Sequence, residues 1–137
     1  MEANIAWKDE VTFTARSGSG HEITIDGPPE SGGRNAGARP MELMLLGLGG
    51  CAAFDVVHIL RKSRSAVSRC EARVTANRAE SDPKVFTDIH LHFTVAGENL
   101  TEKKVARAVE LSADKYCSAS IMFRRAGVAV THGFELA

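Results

Sequence analysis

The sequence has no surplus of charge of either sign: seventeen Lys and Arg balance seventeen Asp and Glu. Nothing in that balance suggests nucleic acid or an acidic membrane surface as a partner. Cysteine is scarce, with only Cys51, Cys70 and Cys117 in 137 residues. Their wide, irregular spacing excludes a secreted disulfide framework and a zinc ribbon. The Gly- and Pro-rich segment Gly27 to Arg39, GPPESGGRNAGAR, lacks the Gly-Lys-Ser/Thr ending of a phosphate-binding loop, which removes nucleotide binding. The opening residues MEANIAWKDE have no signal or transit character. Repeats, linkers and low-complexity tracts are missing too. The expectation is one domain spanning residues 1–137 in a reducing cytoplasm, where any disulfide is transient and functional.

What the chain does have is one long apolar stretch, PMELMLLGLGGCAAFDVVHILRKSR, from Pro40 to Arg64. Pro40 suits a first helical turn, and Arg61, Lys62 and Arg64 place positive charge at the negative end of the helix dipole. A membrane span needs roughly 20 predominantly apolar residues, and Glu42, Asp55 and His58 interrupt this one. The stretch therefore predicts a central buried helix, apolar on nearly every side and covered on nearly every side. Gly47, Gly49 and Gly50 each cost such a helix about 1 kcal/mol against alanine. Close approach of another backbone compensates, and a partner chain's helix is one source of it. Cys51 follows them directly. Taken by itself it reads as a small buried hydrophobe, as most buried cysteines do.

Residues Asn4 to Ile25 read as short strands, with Val11, Phe13 and Ala15 on one side and Thr12, Thr14 and Arg16 on the other. The connection that follows is thirteen residues long, carries Arg34 and Arg39, and has a length typical of functional or mobile loops. Beyond the helix, Cys70, Ala72, Val74 and Ala76 alternate inward, which makes Cys70 a packing residue. Val85 to Val95 predicts the clearest strand, with Val85, Thr87, Ile89, Leu91, Phe93 and Val95 facing in. His90 and His92 share its other face, a pair without an evident third metal ligand. A second helix begins at Asn99 or Thr101 as N-cap and buries Val105, Val109, Ser112 and Tyr116. Cys117 closes it. Ser118 is the expected cap of a short helix ending at Gly127, and the helix start and Lys115 predict a somewhat acidified Cys117. Val128 to Glu135 reads as a strand with Val130, His132 and Phe134 on one face.

The order SGHEITIDGPPESGG, GARPMELMLLGLGGCAAFDVV, VFTDIHLHF and VELSADKYCSAS resembles the OsmC/Ohr superfamily, the osmotically inducible protein C and organic hydroperoxide resistance proteins. It is most similar to the YhfA-like branch, and the resemblance runs from about Trp7 to Phe134. It implies an α+β fold in which antiparallel sheets wrap a long central helix, built as an intertwined homodimer. It also implies thiol-dependent reduction of a small organic hydroperoxide, with Cys51 peroxidatic and Cys117 resolving. No bound cofactor is implied, only an external dithiol reductant. The family site further has an arginine, for which Arg16 is the candidate, and a glutamate directly after the helix-starting proline. Here Met41 occupies that position and Glu42 the next, about 100° further round a helix.

A peroxidatic thiol must ionise, and an ordinary cysteine of pKa ~8.5 is mostly protonated at neutral pH. Cys51 lies in mid-helix, away from its own helix's N-terminus, so a neighbouring cation, an arginine held by a carboxylate, is the expected support. The apolar wall of Leu46, Leu48 and Phe54 favours an alkyl hydroperoxide over hydrogen peroxide. The alternative is a binding or accessory protein that keeps the fold and cysteines without efficient catalysis.

Overall fold

The computed structural model describes all 137 residues, Met1–Ala137. They pack as two compact units, Met1–Leu45 and Leu46–Ala137.

In the first unit, β1 (Ala3–Asp9), β2 (Thr12–Ser17) and β3 (Glu22–Ile25) form an antiparallel meander. Trp7 pairs with Phe13 and Phe13 with Ile25, while Ala15 stands between Ile5 and Ile23. Residues directly opposite share a face, so the six make one apolar surface. Within the chain it is uncovered: Ile5 is 56%, Trp7 68% and Ile23 47% exposed. The buried side chain of β2 is instead Thr12, on the face the alternation marks as outward. The reason is Asp26, itself fully buried, whose Oδ1 accepts from Thr12 Oγ1 at 3.0 Å and from the Gly27 N–H at 2.9 Å. Its Oδ2 accepts from the N–H groups of Arg34 (2.8 Å) and Ala36 (3.1 Å), which folds the loop back on the sheet. Those donors, Arg34 first, outweigh the opposing effect of burial and hold the Asp26 carboxyl at about 2.

The long helix α1 (Pro40–Lys62) starts in this unit. Pro40 is its first residue, as its fixed φ and missing N–H suit. Glu42 Oε2 accepts from the backbone N–H of Arg39 at 2.9 Å, the back-reaching half of a capping box.

The second unit holds the rest of α1, then β4 (Ala66–Arg78), β5 (Phe86–Glu98), α2 (Glu102–Leu111), α3 (Ser118–Arg125) and β6 (Ala129–Leu136). Strands β4 and β5 pair antiparallel, with Cys70, Ala72, Val74 and Ala76 opposite Val95, Phe93, Leu91 and Ile89. This is the inward alternation the sequence predicts. At the far end it fails: a register shift lies between Asn77 and Arg78, so Phe86 is buried while Val85 and Thr87 are exposed. One extra residue at a bulge reverses which neighbours face in. The sheet is also not wholly antiparallel, because β6 adds to β5 in parallel. Such pairing needs a long crossover, and α2 and α3 lie within it.

The core is Leu48, Ala52, Val56 and Leu60 from α1, Ile89, Leu91, Phe93 and Val95 from β5, and Val105, Ala108 and Val109 from α2. Burying each of the large side chains is worth about 2 kcal/mol. Gly49 sits where a Cβ would come within 2.9 Å of Val74 Cγ2, so this glycine serves a close approach to a side chain of β4. Within the single chain only one side of α1 is buried. Leu46 and Phe54 are 64% and 71% exposed, and a Cβ at Gly47 or Gly50 would meet nothing within 4 Å.

Candidate active site

Cys51 is carried on α1 and is half-buried; Cys117 is fully buried at the head of α3. Between α2 and α3 the chain makes a five-residue π-helical segment, Ser112–Tyr116. That widening shifts the helical phase: Ser112 stays inside, Tyr116 swings out to solvent, and Cys117 turns inward. Two buried hydroxyls fix the arrangement. Ser112 Oγ donates to the Ala52 carbonyl at 2.9 Å, and Ser120 Oγ to the Ala113 carbonyl at 2.7 Å.

The result is a cluster. The sulfurs of Cys51 and Cys117 and a carboxylate oxygen of Asp55 all lie within 4.8 Å of one another. Asp55 stands one helical turn beyond Cys51, on the same face of α1. Ser118 Oγ is 4.0 Å from Cys51 Sγ. No fourth Cys, His, Asp or Glu joins the group, so a four-ligand structural zinc centre is not built here.

The two thiols are driven apart electrostatically. Burial pushes the Cys51 thiol up, but the Ala119 N–H and the Cys117 and Ser118 side chains push it down further, leaving it below the ordinary value. Burial dominates at Cys117 and, with the nearby Cys51 and Asp55 charges, raises it to about 11, against one favourable contact with the Ser120 N–H. Cys117 itself caps α3, its Sγ accepting from that N–H at 3.4 Å. The sequence expectation is thus inverted. The Ala119 N–H at the start of α3 serves Cys51, while at Cys117 burial outweighs the Ser120 N–H, and Lys115 lies over the Tyr116 ring instead. Within this unit it is the contacts with Ala119, Cys117 and Ser118 that lower Cys51.

Of the four sequence-predicted site residues, the second unit brings Cys51 and Cys117 together. Glu42 and Arg16 belong to the first unit, Glu42 in its capping bond and Arg16 exposed on β2 opposite Asn4 and Glu22. Leu48 is in the core rather than on a substrate wall. An open groove of about 360 Å³ does run along the outer side of α1, lined by Gly50, Ala53, Phe54, Val57, His58 and Arg61. His90 and His92 share a face as expected, His90 bonded to Thr131 Oγ1 at 2.8 Å and His92 3.9 Å from Glu135. Sequence reasoning missed Asp55 as a site group. Its signal was the four-residue spacing from Cys51, read there only as an interruption of an apolar run.

A mixed α+β chain that brings one helical cysteine against a second at the head of another helix is defined by that pair. The chain belongs to the OsmC-like protein family, which it matches over residues 32–133. It is 46% identical over 139 residues to Protein YhfA of Escherichia coli K12, covering 99% of this chain and 98% of that one. A hypothetical protein of Aquifex aeolicus VF5 is 31% identical, with a TM-score of 0.82 over 99% of this chain and 96% of that one. The organic hydroperoxide resistance protein OhrB of Bacillus subtilis shares the fold at 20% identity and a TM-score of 0.64, with 98% of each chain covered. The long apolar helix is therefore the core helix of an OsmC-like fold.

Proposed function

We propose that this protein is a cytoplasmic thiol peroxidase that reduces organic hydroperoxides in oxidative-stress defence, with Cys51 peroxidatic and Cys117 resolving. The observation that carries the reading is the cluster itself: a half-exposed thiol held below its ordinary pKa, with a buried second sulfur within 4.8 Å. The Cys51 thiolate attacks the terminal oxygen of the hydroperoxide, the O–O bond breaks, and the alkoxide leaves to be protonated as the alcohol. Cys51 is then a sulfenic acid. Cys117 attacks its sulfur, the S–O bond breaks, and water and a disulfide result. An S–S bond is about 2 Å long, so the sulfurs close by less than about 3 Å. An external dithiol restores both thiols, since a lasting disulfide is foreign to that compartment.

The exposed groove beside Phe54 suits an alkyl group, and fold relatives such as OhrB are named for organic hydroperoxide resistance. The active form is a homodimer, which the bare apolar faces of α1 and the β1–β3 sheet support. Engagement of Glu42 as a helix cap favours the second reading, an OsmC-like binding or accessory protein without efficient turnover.

The test is mass spectrometry of the thiols after one equivalent of cumene hydroperoxide. Wild type forms a Cys51–Cys117 disulfide; Cys51→Ser loses turnover. Cys117→Ser consumes roughly one equivalent and then accumulates overoxidised Cys51. Equal activity in wild type and Cys51→Ser leaves the accessory reading standing.

A further inference from the structure

One group in the cluster has no assigned task. Asp55 Oδ2 is buried without a hydrogen-bond partner. An unpaired buried carboxylate oxygen is costly, and the carboxylate that carries it has an oxygen within 4.8 Å of both sulfurs. The resolving thiol has the complementary problem. Cys117 is sealed from solvent and its proton is firmly held, so it does not ionise to water ahead of attack. Nucleophilic sulfur is thiolate, and the proton must go to a neighbour.

Building on the peroxidase reading above, we infer that Asp55 is the proton acceptor for Cys117 in the resolving step. The carboxylate takes the Cys117 proton as that sulfur attacks Cys51, and the S–S bond forms. The bond from Cys51 sulfur to its leaving group breaks. When hydroxide leaves from the sulfenic acid, it collects the proton from Asp55 and departs as water, and the carboxylate is regenerated. The titratable groups facing Asp55 are His58 on its own helix, which acts on it directly, and Cys51 and Cys117, both of which its charge pushes up. Burial raises Asp55, with His58 opposing, which makes it a stronger base than an exposed aspartate. Ser118 Oγ, 4.0 Å from the Cys51 sulfur, has no carboxylate's basicity.

The test uses a route that does not need peroxide, so it separates this inference from the peroxidase reading. In a Cys70→Ala background, Cys51 reacts with Ellman's reagent to give a mixed disulfide and one equivalent of thionitrobenzoate. Attack by Cys117 then releases a second equivalent. With Asp55→Asn, the ratio of second-release to first-release rate should fall at least tenfold, and the second release should acquire a steeper rise with pH as hydroxide replaces the lost base. Asp55→Glu should recover a large part of the ratio. Circular dichroism and thermal melts of the same samples establish that both variants fold. An unchanged ratio and pH profile in Asp55→Asn would overturn the inference. So would slowing of both releases together, which marks a residue that only positions Cys51. Failure of wild type to consume cumene hydroperoxide, with the two-stage release intact, would count against the peroxidase reading alone.

Discussion

Ser112 Oγ and the Ala52 carbonyl oxygen are joined by a buried 2.9 Å hydrogen bond that spans 60 residues of sequence. Ala52 follows Cys51, and Ser112 opens the π-helical segment that Cys117 directly follows. The bond therefore pins the two cysteine-bearing segments directly beside the sulfurs.

Ser112→Ala should cost about 1–2 kcal/mol, the loss of one buried hydrogen bond. For a domain of this size that is a fall in Tm of several degrees. Disulfide formation should slow along with it. Calorimetry paired with quenched-flow thiol mapping checks both, and a variant with unchanged melting and unchanged closure would contradict the pinning role.

Thiol reactivity should follow the order Cys51, then Cys70, then Cys117. Cys51 lies below the ordinary thiol value, burial raises Cys70, and Cys117 is both raised to about 11 and sealed. Iodoacetamide labelling between pH 6 and 9, read by peptide mapping, should show the lowest midpoint for Cys51. Labelling of native Cys70 as fast as Cys51 would refute its structural assignment.

Asp26 sets an acid limit on the loop that precedes α1. Its folded pKa of about 2 lies below the usual unfolded aspartate value of ~3.9. Its contribution is therefore complete above about pH 5 and fades as the pH falls through about 4 toward 2. Urea unfolding from pH 2 to 6 should show a shallower acid loss for Asp26→Asn, alongside lower stability at neutral pH. Parallel acid limbs for the two proteins would remove Asp26 from that role.

The uncovered apolar faces should be joined in a dimer at micromolar concentration. Gly47 and Gly50 offer a discriminating test, because within one chain a side chain there meets nothing. In a monomer, Gly47→Ala simply gains about 1 kcal/mol of helix propensity. In a dimer whose helices cross at these glycines, Gly47→Leu should weaken association at least tenfold in sedimentation equilibrium. A stable wild-type monomer at micromolar concentration sinks the dimer outright.

Much of this architecture is legible in the sequence where one force dominates. Continuous apolarity marks α1, strict alternation marks the inner face of β4, and Thr101 caps α2 as its residue type suggests, accepting from the Lys104 N–H at 3.2 Å. What escapes is set by tertiary geometry. The bulge near Arg78 exchanges Thr87 for Phe86, and Asp26 turns Thr12 inward against its polarity. The π segment moves Tyr116 out of a face that helical spacing assigns it to. The thiol pKa order also depends on how deeply each sulfur is enclosed, which no spacing along the chain reveals. Asp55 escaped differently: its periodicity was visible, but only the approach of α3 makes a carboxylate there matter.

The parallel crossover from β5 to β6 has a further consequence for how the protein comes into being. A flexible chain of 60 residues separates its ends by roughly 40 Å on average. Contacts this distant in sequence form late in folding, after loop closure has been met. On a ribosome, Cys51 emerges long before the crossover that carries Cys117. An immature or thermally opened chain thus carries Cys51 without Cys117 held beside it. The Cys51–Cys117 disulfide proposed above would therefore be a certificate of nativeness, issued only once the crossover has docked.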